Sequence, residues 1–60
     1  MKRSEFVRQL VADGCVLARH GAKHDVYVNP ATGKKQTVPR HTEIDDTLVK
    51  HIRKRLGLSG

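Results

Sequence analysis

The spacing of apolar residues changes period twice along this chain, and that change limits the fold more than any other feature. Phe6, Val7, Leu10 and Val11 recur at three- and four-residue spacing with Arg8 and Gln9 turned away, the stripe of an amphipathic helix. From His24 to Asn29 the pattern becomes strict alternation, with His24, Val26 and Val28 on one side and Asp25, Tyr27 and Asn29 on the other. Ile44, Leu48, Ile52 and Leu56 then recur every four residues, and Val49 widens that stripe. A helix, a strand region and a second helix follow.

Local signals set the boundaries. Ser4 is expected to cap the first helix, with Glu5 suiting its positive end and Gly14 ending it, so the helix should cover about residues 4–13. Cys15 to His20 is expected to form a strand, and Gly21-Ala22-Lys23 a turn. His24 to Asn29 follows as the second strand. Asn29-Pro30-Ala31-Thr32-Gly33 is dense in turn formers and should close a hairpin onto a third strand from Lys35 to Val38, stopped by Pro39. In the last helix Asp45 or Asp46 can cap the start, while Lys50, Arg53, Lys54 and Arg55 suit the negative end. Gly57 is the expected stop, with Leu58 folding back against the helix.

Two amphipathic helices and one antiparallel meander pack most simply in two layers, both stripes on one face of the sheet and the other face open. The expected class is therefore α+β, in the order α-β-β-β-α, as one domain over residues 1–60. This is the element order of the double-stranded-RNA-binding fold. The alternation carries one tension: Val26 and Val28 invite the core, and His24 shares their side.

A chain of 60 residues buries only about 60% of the surface its unfolded form exposes, so any active site must lie on an open surface. Cys15 is the only cysteine, which excludes an internal disulfide and a cysteine-based zinc site; beside Val16 and Leu17 it reads as a core residue. Twelve Lys and Arg against six Asp and Glu give a net charge of +6, which favours a polyanionic partner. No apolar run approaches the roughly 20 residues of a membrane span, and the opening residues lack a signal-peptide core, so a cytoplasmic protein is expected.

The reactive groups are few. His24 opens a strand beside a flexible turn, where a large substrate can reach it, and Lys23 stands next to it as a phosphate contact. RNA cleavage suits so sparse a site because the substrate's own 2′-hydroxyl is the nucleophile. The protein need only move protons, which an imidazole does near neutral pH, and stabilise charge, which Lys or Arg does. No metal or other cofactor is required. The simpler reading is that His24 is an ordinary polar residue at a strand end. His41, after Pro39-Arg40, is a candidate phosphate contact or second acid-base group; Tyr27 is another candidate for that second role. His20 lies across the Gly21 turn, and His51 sits among helix charges as an inert residue. Lys34 and Lys35 border the hairpin loop, with Lys23 and Arg40 expected on the same open side. Asp25, Asp45 and Asp46 read as strand and cap residues, and Arg53-Lys54-Arg55 as either a solvated helix face or an RNA contact.

Gly21-Ala22-Lys23-His24-Asp25-Val26-Tyr27, Asn29-Pro30-Ala31-Thr32-Gly33-Lys34-Lys35 and Val38-Pro39-Arg40-His41-Thr42-Glu43-Ile44 closely resemble the HicA toxin family. The run from Leu48 to Leu58 is similar to that family's final helix and its Gly-Leu ending. The resemblance implies a double-stranded-RNA-binding-like fold and the toxin half of a type II toxin–antitoxin pair. It also implies cleavage of mRNA without the ribosome, and inhibition by a HicB-type antitoxin. The histidine of the family's Gly-Ser-His motif falls on His24. Two departures stand out: Ala22 replaces the usual serine, with Lys23 inserted before His24, and Asp46-Thr47 replaces a common Gly-Thr.

These readings place single-stranded mRNA across the open face, with Lys23, Lys34, Lys35, Arg40 and His41 as RNA contacts and His24 as catalyst. The toxin alone should be a monomer, and a hetero-oligomer with its antitoxin. A non-enzymatic RNA-binding domain and a protein-interaction module meeting an acidic partner are the alternatives.

Overall fold

A computed structural model describes residues 1–58. Helix α1 spans Arg3–Ala12, strands β1, β2 and β3 span Val16–His20, His24–Asn29 and Lys34–Pro39, and helix α2 spans Asp46–Arg55. The strands form one antiparallel sheet in the order β1-β2-β3. This is the α+β, α-β-β-β-α arrangement that the change of period implies.

Phe6 and Leu10 of α1, Val49 and Ile52 of α2, and Leu56 at its end bury against Tyr27, Val38, Cys15 and Ile44. Each buried Phe, Leu, Ile or Val contributes about 1.5–3 kcal/mol, so the seven of them in this cluster carry most of the stability of a short chain. Leu58 packs against this cluster, as its helix ending requires. The Leu58 N–H donates to Arg53 O and the Gly57 N–H to Lys54 O, the paired bonds of a Schellman stop, and Gly57 supplies the positive φ of 79°. The same two bonds end α1, from Gly14 to Val11 and from Cys15 to Leu10.

The first helix begins earlier than the capping residue suggested. Lys2, not Ser4, stands at its N-cap, and no side chain caps it. The start is fixed by the rest of the fold: Lys2 bridges to Glu43, and the Arg3 N–H donates to Thr42 O at 2.9 Å. A backbone partner satisfies a helix donor as well as a serine hydroxyl does, so tertiary contact overrides the local signal. Asp45 takes the N-cap position of α2, likewise without a side-chain bond. Leu48 was expected on the apolar stripe but is 40% exposed, and Ile44, although buried, precedes the helix.

The parity of β2 is the larger correction. Asp25, Tyr27 and Asn29 face the core, while Val26 and Val28 lie half-buried on the other face with His24. The polar members of the inward set have partners that make this possible. Asn29 Nδ2 donates to Leu56 O at 2.8 Å, tying the β2–β3 hairpin to the end of α2, and its Oδ1 accepts from the Ala31 N–H at 3.1 Å. Asn29 O also accepts from the N–H groups of Thr32 and Gly33, so one residue organises the whole hairpin loop.

Asn29→Ala leaves the Ala31 amide short of a partner and removes the link to Leu56. It should lower unfolding stability by about 1–3 kcal/mol in urea denaturation. A loss too small to measure would show that water replaces both bonds at no cost.

Candidate functional site

The face of the sheet away from the helices is built from β2 outward. Register pairs His24 with Pro39, Val26 with Thr37, and Val28 with Lys35 on β3, so these side chains share the open face. On β1, Val16 pairs with Val28, and an irregularity between Leu17 and Arg19 then shifts the register. The shift sets Arg19 opposite Val26 and His20 opposite Asp25. A β-bulge re-aims the residues that follow it, and this one brings an arginine onto the open face one row from His24. β1 is exposed along its whole length.

At the end of the sheet where His24 lies, the chain turns tightly. The Gly21 N–H donates to His24 O at 2.9 Å. A side chain at position 21 would put its Cβ 2.6 Å from that carbonyl oxygen, so glycine is needed for the close approach. His24 is exposed at the edge of this turn.

Behind the turn sits a buried charge. Asp25, only 7% exposed, accepts from Arg3 Nη2 at 2.7 Å and from Arg40 Nε at 3.1 Å, and lies 2.9 Å from His20 Nδ1. Burial alone would raise the Asp25 pKa, but the hydrogen bond and charge of Arg40, with the charges of His20 and Arg3, hold it below 3.8. Arg3 also donates from Nε to Pro39 O at 2.9 Å, and Arg40 donates to the carbonyl oxygens of Gly21 and Ala22. One carboxylate and two guanidiniums thus tie α1, the ends of β2 and β3, and the turn before His24 into a single unit.

The sequence profile of the family described as HicA toxin of bacterial toxin-antitoxin matches residues 3–58 of the 60-residue chain. The chain belongs to the HicA toxin family. It is therefore a toxin of a toxin–antitoxin system, and a toxin of this kind has an antitoxin partner. No curated protein and no solved structure matches it.

Within this HicA toxin the residues singled out from sequence divide into two places. His24, Lys23, Arg40 and His41 gather at one end of the sheet, where Arg40 and the bond from Arg3 to Thr42 anchor the chain on both sides of His41. Lys34 pairs with Asn29 and Lys35 with Val28, so both lie at the opposite end of β2; Lys35 falls on the open face, whereas Lys34, expected beside it, shares the row of the inward-facing Asn29. At about 3.4 Å per residue, the length of β2 separates them from His24 by roughly 17 Å. Lys23, His24, Lys34, Lys35 and His41 are exposed, whereas the Arg40 guanidinium is engaged with Asp25 and the turn. Tyr27 is only 6% exposed and faces the core, out of reach of a substrate on the open face.

Three residues of this region were not singled out from sequence: Arg3, Arg19 and the central role of Asp25. A signal for Asp25 existed. Asp and Asn disfavour strands, so two of them on the parity of a buried Tyr27 imply fixed partners. For Arg19 there was none, because its facing depends on the bulge. Arg53 pairs with Asp13, the C-cap of α1, at 2.9 Å and so ties α2 to the end of α1 rather than only facing solvent. A cleft of about 580 Å³ lies along these helices, lined by Gln9, Asp13, Val49 and Lys50 among others; it belongs to the helical layer, not to the open face. Among the described residues, no group of three or more His, Cys, Asp or Glu gathers as metal ligands, and no helix is long and apolar enough to cross a membrane.

The lowered Asp25 pKa makes a signed prediction. A carboxylate held low in the folded state contributes stability that is complete above the unfolded value and is lost as pH falls through the folded one. Asp25→Asn should therefore melt at a lower temperature than the wild type at neutral pH, and the gap should close as pH falls below 3.8. A gap that stays constant across that range would mean the charge of Asp25 is not what holds the unit together.

Proposed function

We propose that this toxin is an mRNA endoribonuclease that acts without the ribosome and without a metal, using His24 for acid-base catalysis. The observation that carries this reading is the setting of His24: an exposed imidazole on the open face, beside a turn whose geometry is fixed by Gly21, Arg40 and Asp25. A fixed imidazole reachable by a polymer is what proton transfer to or from a ribose 2′-hydroxyl needs. The 2′-oxygen attacks the adjacent phosphorus, the bond to the 5′-oxygen breaks, and the products carry a 2′,3′-cyclic phosphate and a free 5′-hydroxyl. His24 takes one of the two protons that move.

Single-stranded mRNA lies along β2 in this reading. Lys23 and His41 contact phosphate near the cut, and Lys34 and Lys35 contact the strand at the far end of the sheet. Arg40 adds positive charge at the cut while holding the turn. The antitoxin is of the HicB type and inhibits by covering the open face, converting a toxin monomer into a hetero-oligomer in the cytoplasm. A purely RNA-binding role is favoured by the basic charge of +6 alone; it predicts salt-sensitive binding and intact RNA.

His24→Gln should lower RNA cleavage by about a hundred- to ten-thousand-fold while leaving the melting temperature unchanged, read on a denaturing gel beside the wild type. Cleavage by the folded variant at the wild-type rate would end the assignment of His24. Wild-type cleavage that disappears in EDTA and returns with Mg²⁺ would end the metal-free mechanism.

A further inference from the structure

We propose that His20 is the second acid-base group of this toxin, protonating the leaving 5′-oxygen, with Asp25 as the residue that positions its ring. The assignment rests on the ribonuclease reading above and completes it, because transesterification moves two protons and His24 accounts for one.

The geometry around His20 differs from that of the other candidates. Its Nδ1 lies 2.9 Å from Asp25 Oδ1 and 3.3 Å from Arg40 Nη2. Nδ1 thus faces a buried carboxylate and the guanidinium that binds it, and the carboxylate pairs with the ring in its protonated, acid form. That contact holds the Nδ1 edge against the carboxylate and leaves Nε2 for substrate, the arrangement by which a buried carboxylate orients a catalytic imidazole. The side chain of His20 is 69% exposed while that of Asp25 is 10% exposed, so the acceptor is protected and the working edge is open. His41 has no carboxylate partner among the described residues, Tyr27 is in the core, and His51 lies on α2.

The placement also suits the reaction. His20 and His24 flank the three-residue turn, and the Gly21–His24 bond draws their backbones together. Register puts His20 opposite the inward-facing Asp25 and His24 on the open face, so the two rings approach the hairpin tip from different sides. Attacking and leaving oxygens lie in line across phosphorus, which requires base and acid on opposite sides of it. With His24 taking the 2′-proton and His20 Nε2–H giving one to the 5′-oxygen, each ring ends in the other's starting state, and exchange with water restores both. The charged groups facing His20 are Asp25, Arg40 and, through Asp25, Arg3; Lys23 and His24 lie on the turn itself.

The test uses His20→Gln, which replaces an exposed ring and leaves the Asp25 contacts to Arg3 and Arg40 in place. Two substrates are compared: ordinary RNA, and the same RNA with sulfur in place of the 5′-bridging oxygen at the cut. A thiolate departs without a proton, so the sulfur substrate does not need the acid. With the variant folded by its melting curve, cleavage of ordinary RNA should fall about a hundredfold or more, and the sulfur substrate should recover at least about tenfold of that loss. His24→Gln should show no such recovery. Wild-type activity in His20→Gln, or an equal deficit on both substrates, overturns the assignment while leaving the ribonuclease reading intact. Failure of the wild type to cut either substrate overturns both.

Discussion

A carboxylate removed from water beside two guanidiniums sets the geometry of the end of the sheet where the candidate site lies. Isolated, the buried Asp25 would be costly, since taking an ion out of water is repaid only when good geometry satisfies its remaining lone pairs. Here both oxygens are used: Arg3 meets Oδ2, while Arg40 and His20 share Oδ1. The guanidiniums are in turn spent on carbonyl oxygens of Pro39, Gly21 and Ala22. The network reaches from the first turn of α1 to the end of β3. It gives a short chain rigidity at the edge of its apolar cluster, where buried Val38 pairs with Asp25.

The same network explains why an open site is sufficient. The proposed reaction, in which the substrate brings its own nucleophile, needs no deep cavity. What it needs is an imidazole that does not wander. The turn from Gly21 to Lys23 would be mobile if left to itself; the two carbonyls held by Arg40 and the bond from Gly21 to His24 make it part of the sheet instead. Rigidity is supplied from behind the turn, by groups facing away from the open face, and His24 stays exposed.

Much of this fold was legible in the sequence, because the elements follow from local physics. The helical stripes, the glycines that stop each helix, the turn-rich loop and the alternation of β2 all depend on residues close together in the chain. The parts that were misread depend on partners far away. Ser4 has the right chemistry for a cap, but Thr42 and Glu43 fix the start of α1 one residue earlier. Val26 and Val28 suggested a core face, yet Asn29 and Asp25 hold the inward positions because Leu56, Arg3 and Arg40 are waiting for them. Hydrophobicity alone cannot settle parity when both sides of a strand are mixed, since a polar residue with a fixed partner is as buriable as a valine. His24 was identifiable as a candidate from its motif and its turn; its facing was decided by residues 15 or more positions away.

The cations of this toxin show a division of labour that follows from their chemistry. Arg3, Arg40 and Arg53 are each ion-paired within the fold. A planar guanidinium can grip a carboxylate and a carbonyl at once, which makes arginine the better residue for a buried junction. Lys23, Lys34 and Lys35 are exposed at the two ends of β2. A lysine is a point charge on a flexible stem and follows a phosphate without demanding a particular geometry. An RNA strand held mainly by lysines would be read by its backbone and not by its bases. Arg19, opposite Val26 after the bulge in β1, is the arginine that the register sets on the open face.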